Sequence, residues 1–205
     1  WRKSPNTASM AAYSPAPILD PKTLSKAMEE IVYPTLKELN ARGHSYKGVL
    51  NVRLMIKDGK PRLVKYNVRF GDPECQALMM RLGAQAFDLI QATALGTLAE
   101  ARVNWAEDHA LTLVIAAKGY PGNYAKGSVI NGLDQLPDTS KSMCFHAGTT
   151  KTGTTITATG GRVLNVTARG ETLRAARDAA YAMAKGIDWP NDFYRNDIGW
   201  RALQY

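Results

Sequence analysis

Lys65, Asn67, Arg69, Asp72 and Glu74 fall within ten residues, in the stretch KYNVRFGDPECQ (65–76) that follows a short apolar run. Alternate residues of a strand share a face, so Lys65, Asn67 and Arg69 are expected to project together. They stand at the carboxyl end of that strand, just before Asp72-Pro73, where a helix is expected to open. Such a junction favours anions, because free backbone N–H groups gather at a helix start and the cations add their charge. A plainer reading competes. Asp72 can be an N-cap, Pro73 the first helical residue and Glu74 an acid favoured by the helix dipole. The cap explains DPE but leaves the shared face of Lys65, Asn67 and Arg69 unaccounted for, and both readings stay open.

Other chemistries fit the sequence less well. GTTKTGTT (148–155) has the spacing of a phosphate loop but lacks the lysine after its second glycine, and strands are expected on both sides of it. KGYPGNYAKG (118–127) carries turn residues throughout and leads into no helix. Both read as hairpin turns or surface loops. His44, His109 and His146 stand apart from any acid or cysteine at ligand or triad spacing. Cys75 and Cys144 have no partner that marks a nucleophile, and no G-x-S-x-G elbow occurs.

The elements that must position the cluster follow from periodicity. Residues 1–20 show none and are expected to form an extended loop, after which Asp20-Pro21 starts a helix. Leu24, Met28, Ile31, Val32, Leu36 and Leu39 keep helical spacing, Pro34 should kink the helix or shift its start, and Gly43 supplies a stop. Leu50, Val52, Leu54 and Ile56 alternate with Asn51, Arg53 and Met55, Asp58-Gly59 signals a hairpin turn, and RLVKYNVRF returns with Val64, Tyr66, Val68 and Phe70 on one face. A single helix then runs from Asp72-Pro73 through Leu78, Met79, Leu82, Phe87 and Ile90. Past a boundary near 95–108 come strand candidates at 111–117, 143–147, 154–158 and 162–168, a Gly160-Gly161 turn, and a helix capped by Thr172 and closed by Gly186. The fold class expected is α/β (α+β), a small α+β unit following an α/β half-domain.

Bulk composition bounds the rest. The 205 residues are 45% hydrophobic, enough for real cores, and no apolar run approaches the ~20 residues of a membrane-spanning helix. Two cysteines without a C-x-x-C pair indicate reduced thiols in a cytoplasmic protein. With 26 basic against 18 acidic residues the net charge is +8, yet the basic residues are scattered singly, so no nucleic acid and no membrane is expected as a partner. The chain begins at Trp1, not Met, and is expected to be a piece of something longer.

KYNVRFGDPECQ resembles the R-F-G-D-P-E-x-Q signature of the phosphoribosylamine–glycine ligase (glycinamide ribonucleotide synthetase) family, within the ATP-grasp superfamily. SPNTASMAAYSPAP resembles that family's G-P-N-T-G-G-M-G-A-Y-S-P-A-P loop, and AAKGYPGNYAKG, FHAGT, GGRVLNVTARG and RNDIGWRAL follow in the family's order. The resemblance implies the C-terminal part of an ATP-grasp domain over residues 1–98 and a small α+β C-terminal domain over 99–205. It further implies joining of glycine to 5-phosphoribosylamine through an acyl phosphate in purine biosynthesis, with ATP and Mg2+ (or Mn2+) as cofactors. On it, Asn67 would be a metal ligand, and Arg69 the catalytic anchor of substrate or acyl phosphate. Asn6, Thr7, Met10, Tyr13, Asp72, Pro73 and Glu74 would bind the substrates. The partner implied is the missing N-terminal half of the same enzyme, which carries the adenine-holding strands and phosphate-binding lysine.

Three departures from the family pattern bear on activity: the absent half, the family glycines replaced by Ala8, Ser9 and Ala11, and Lys65 at the position of a metal-binding glutamate. Side chains in the loop would restrict any positive φ there. An ammonium repels a divalent cation where a carboxylate attracts it, and Arg53, where the family usually has glycine, adds to the charge. A catalytically impaired remnant acting as a binding module is therefore the alternative.

Overall fold

The computed structural model describes residues 7–205 of the chain, so the expectation for Asn6 lies outside the described residues. In chain order its elements begin with β1 (Ala11–Ser14), α1 (Pro21–Ala27), a π-helical turn (Met28–Val32) and α2 (Tyr33–Ala41). The hairpin strands β2 (Asn51–Lys57) and β3 (Lys60–Asn67) lead into α3 (Glu74–Leu82) and α4 (Gln85–Leu95). There follow β4 (His109–Ala117), β5 (Ser142–His146), β6 (Thr149–Thr152), β7 (Thr155–Ala158), β8 (Arg162–Gly170), α5 (Leu173–Lys185) and β9 (Asp192–Phe193). The mixture of helices and antiparallel sheets is the α+β class expected. Two compact units result. The first holds Trp1–Pro15, Asp72–Gly83 and Trp105–Gln204; the second holds Ala16–Gly71 and Ala84–Asn104 with Tyr205. These units interleave along the chain.

The first unit is built on a five-stranded antiparallel sheet in the order β1-β4-β8-β5, with β9 pairing the end of β4. From Ala110 to Ala117 every residue of β4 is buried, as are Val163–Ala168 of β8, so the alternation is one of faces, not of burial. Leu111, Leu113, Ile115, Leu164, Val166 and Ala168 share a cluster with Leu173, Ala176, Ala180 and Met183 of α5. The α5 positions recur at helical spacing, and Thr172 Oγ1 caps that helix by accepting from Ala175 N at 3.1 Å. Met10, Val114 and Ala116 form a second, smaller cluster, and α3 lies against β1, β4 and β8. Thr112 and Thr167 satisfy each other at 3.0 Å, as buried hydroxyls must. The segment expected as loop contains β1, whose residues pair with β4 from Ala11↔Leu113 to Ser14↔Ala110. The glycine-rich stretch 148–155 is the β6–β7 hairpin, as its turn chemistry implies.

The second unit is thinly covered. Asp20 Oδ1 accepts from Thr23 N at 2.6 Å and Pro21 takes the first helical position, as expected. Pro34 has no N–H to donate and its ring crowds the preceding turn, and the helix widens to π geometry over Met28–Val32 just before it. Asp58 (φ 52°) and Gly59 (φ 66°) form the two-residue turn of the β2–β3 hairpin, and α1 packs on β3. Large apolar side chains stay exposed, among them Val68 at 74% and Phe87 at 68%. The single helix expected from Asp72 to Ile90 is instead two, because Gly83 at φ 61° ends α3. No helix among the described residues is long and apolar enough to cross a membrane.

Candidate functional site

In the second unit, register decides which side chains share a face. Arg53 pairs with Lys65 and Asn51 with Asn67, but Leu54 pairs with Leu63, so Val64 is a bulged extra residue. Lys65 and Asn67 therefore stand on one face, as expected, whereas Val64 does not continue the face of Tyr66. Asn67 Nδ2 donates to Asn51 Oδ1 at 3.3 Å. The strand ends at Asn67, earlier than the Phe70 expected from its alternation. Arg69 lies beyond it in a bend, exposed, with Nη1 donating to Phe70 O at 2.7 Å.

This face is cationic. Arg53 and Lys65 are like charges directly across the ladder, a pairing that works against the hairpin. A hard divalent ion needs several oxygen ligands, mostly carboxylates. Asn67 offers one neutral oxygen, and among the described residues no group of three or more His, Cys, Asp or Glu could hold a metal. The residues present do not fit a magnesium site by themselves.

The first unit brings Asp72, Pro73 and Glu74 together with the segment around Ser9. Asp72 is not the helix cap: the N-cap of α3 is Pro73, which has no side chain able to accept a bond. The Asp72 carboxylate is engaged elsewhere. Its Oδ1 accepts from Gln76 Nε2 at 3.1 Å, and its Oδ2 accepts from Arg162 Nη2 at 3.0 Å. Arg162 Nη1 donates to Asp72 O at 2.8 Å and to Ser9 O at 2.9 Å. Ser9 Oγ donates to Glu74 Oε1 at 3.5 Å. Met10 is buried and its carbonyl accepts from Val114 N at 3.0 Å, while Tyr13, in β1, stands opposite Leu111. Thr7 is exposed. Ala8, Ser9 and Ala11 take no positive φ, so their side chains fit where the family glycines were expected to be needed.

Arg162 and Arg169 escaped the sequence reading. Both lie on β8; Arg162 holds the segment before α3, and Arg169 holds α3 itself. Arg169 Nη1 donates to Met80 O at 3.2 Å and its Nη2 to Asp108 Oδ2 at 3.2 Å. Arg81, near the end of α3, donates to Ala106 O and to Ser14 Oγ. Burial, with the nearby charge of Arg169 second, lowers the Arg81 pKa. The available signal for Arg169 was the polar parity of VLNVTARG, in which Asn165, Thr167 and Arg169 alternate with apolar residues, whereas Arg162 stands at the opposite parity.

His146 Nδ1 bonds Thr149 Oγ1 at 3.0 Å on the surface. Burial pushes the Cys144 thiol up to about 12, and raises Cys75 with Asp72 contributing second. Neither sulfur is poised as a thiolate.

Residues 2–75 match the phosphoribosylglycinamide synthetase ATP-grasp (A) domain, and residues 110–201 match the phosphoribosylglycinamide synthetase C domain. The chain is 49% identical over 200 residues to the phosphoribosylamine–glycine ligase of Rhizobium meliloti strain 1021, covering 97% of this chain and 47% of that protein. Identity to the enzyme of the same name from Mesorhizobium japonicum is 48% over 199 residues, covering 97% and 47% respectively. The crystal structure of the Thermotoga maritima phosphoribosylamine–glycine ligase superposes with a TM-score of 0.83 at 31% identity, over 95% of this chain and 47% of that one. The chain spans about half the length of the curated relatives it matches.

Proposed function

The chain belongs to the phosphoribosylglycinamide synthetase family, and from that premise we propose that it is the C-terminal portion of an ATP-dependent carbon–nitrogen ligase joining glycine to 5-phosphoribosylamine in purine biosynthesis. The observation that carries this reading is the alignment of phosphoribosylamine–glycine ligases along 97% of the chain. In the reaction the glycine carboxylate takes the γ-phosphoryl group of ATP, giving glycyl phosphate and ADP. The amine of phosphoribosylamine then attacks the acyl carbon, the C–N bond forms, and phosphate leaves as the amine loses a proton.

Arg69 is assigned the anionic partner. Its planar guanidinium presents paired donors to a carboxylate or an acyl phosphate, and a fixed positive charge lowers the energy of charge building there. Asp72, Pro73 and Glu74, with Asn6, Thr7, Met10 and Tyr13, are assigned to the substrates, the two carboxylates suiting amino groups. Residues 1–98 are read as part of the ATP-grasp domain and 99–205 as the C-terminal domain. The N-terminal half would supply the adenine and phosphate contacts and cover apolar surface such as Tyr33 and Phe87. A divalent ion, Mg2+ or Mn2+, neutralises phosphate charge when bound. Of this chain's residues the reading assigns it Asn67, and the N-terminal half would add carboxylate ligands. The cytoplasm is the compartment assigned.

The test is ADP release by the full-length protein. Release that requires glycine and phosphoribosylamine together supports the reading; release indifferent to both overturns it. One observation favours a second reading, an impaired ligase retained for binding: Lys65 faces Arg53 across the hairpin. Lys65→Glu in the full-length protein should then raise Mg2+-dependent activity about tenfold or more, since one pair of unit charges at ~4 Å interacts by roughly 4 kcal/mol at an effective dielectric of 20 and a sign reversal changes that by twice as much. A Lys65 enzyme already fully active with Mg2+ sinks that alternative.

A further inference from the structure

Arg162 has no role in the reading above, yet its single guanidinium spans two segments far from it in sequence, through Ser9 O, Asp72 O and Asp72 Oδ2. The aim of that side chain is set by a register shift. Ile115 pairs with Leu164 but Ala116 pairs with Arg162, which makes Val163 a bulged extra residue. Unbulged, Arg162 would share parity with Leu164 and Val166 and point at the core beneath α5. The bulge turns it to the face of Ala116, where Met10 and Val114 also lie. Further along β8, Arg169 holds Met80 O. One strand thus holds the segment before α3 with one arginine and the C-terminal turn of α3 with another.

We propose that Arg162 is a positioning residue: it locks the Asp72–Glu74 turn and the Ser9–Met10 backbone into one geometry, and through them orients glycine. The role rests on the ligase reading, and on geometry that can be tested apart from it. A guanidinium is needed because it donates in three directions within one plane, to two carbonyls and a carboxylate; an ammonium can keep the charge but not that fork.

Two measurements on the full-length protein test this. Hydrogen exchange reads the anchoring directly. In Arg162→Ala, amides of residues 9–14 and 72–76 should exchange about tenfold faster while the β4 core keeps its protection. Steady-state kinetics reads the consequence: KM for glycine should rise about tenfold with KM for ATP within about twofold, and Arg162→Lys should recover part of the loss. Unchanged exchange in both segments overturns the proposal whatever the kinetics show. Parallel rises in both KM values, or unchanged glycine KM alongside faster exchange, reduce Arg162 to a structural residue and overturn it too. If Arg162→Ala does not fold, Arg162→Lys is read by the same two criteria. A wild-type enzyme without glycine-dependent ADP release defeats the ligase reading separately, with exchange still deciding the anchoring.

Discussion

Two antiparallel strand pairs in this molecule carry the same local device and turn it to different ends. In β4–β8 a bulge at Val163 throws Arg162 onto a face where three acceptors wait for it. In β2–β3 a bulge at Val64 throws Lys65 onto a face where Arg53 stands directly opposite. The first pair is buried on both faces and the second is open. A re-aimed charge in a covered sheet must find partners, because leaving it unpaired there costs several kcal/mol. On an open hairpin the same re-aiming is tolerated, because water screens the charge. Covered geometry therefore specifies, while open geometry only permits.

The largest test of that contrast is a matched pair of truncations. Leu164→Ala removes a fully buried side chain next to α5 and should destabilise the chain by about 2–5 kcal/mol. Leu63→Ala, at a position 43% exposed, should stay within about 1 kcal/mol. Urea unfolding followed by the buried Trp189 reads the first, and amide exchange of the β2–β3 hairpin reads the second. Equal losses at both sites would erase the distinction between covered and open pairs.

The cysteines sharpen the covered side. Cys144 pairs with Val166 of β8 and its thiol is pushed up to about 12 from 9.0. At pH 8 it should react with iodoacetamide roughly a thousandfold slower than a free peptide thiol, with Cys75 in between. Mass spectrometry of time points resolves the two. The linked stability has a definite sign. Folding favours the neutral thiol, so its contribution is whole below the unfolded pKa near 9 and is lost as pH rises toward 12. Rapid labelling of Cys144 in folded protein would mean the sheet edge at β5 opens freely.

The contrast also explains what could be read from residues alone. β4, β8 and α5 were legible because long apolar runs and a capped alanine-rich helix admit few alternatives. β1 was not: four residues flanked by proline show no period, and only pairing with β4 makes them a strand. Neither bulge leaves a mark in the sequence, since one extra residue in a strand looks like any other. Hence Lys65 and Asn67 were placed correctly on one face by period, while Val64 was misplaced and Arg162 was overlooked. Of the two readings of Asp72, the cap reading named the wrong bond. Local capping chemistry predicted it would hold the start of α3, whereas a guanidinium from a strand 90 residues later holds it.

The smallest effect isolates the open hairpin itself. Lys65→Glu, made in this chain without substrates, replaces a like-charge pair opposite Arg53 with an opposite-charge pair on the same face. Cross-strand pairs of this kind contribute about 0.2–1 kcal/mol, so the hairpin should gain that much. The gain should shrink as salt is raised from about 0.01 to 1 M, because the screening length then falls below the separation of the charges. Exchange of the β2–β3 amides is the suitable readout, since local opening of a thinly covered unit is governed by its own stability and not by the core of the other. A salt-independent change would mean that Lys65 acts through packing of its long stem and not through its charge. The register would then matter for shape alone, and the cationic face would lose its claim to influence what this strand pair can bind.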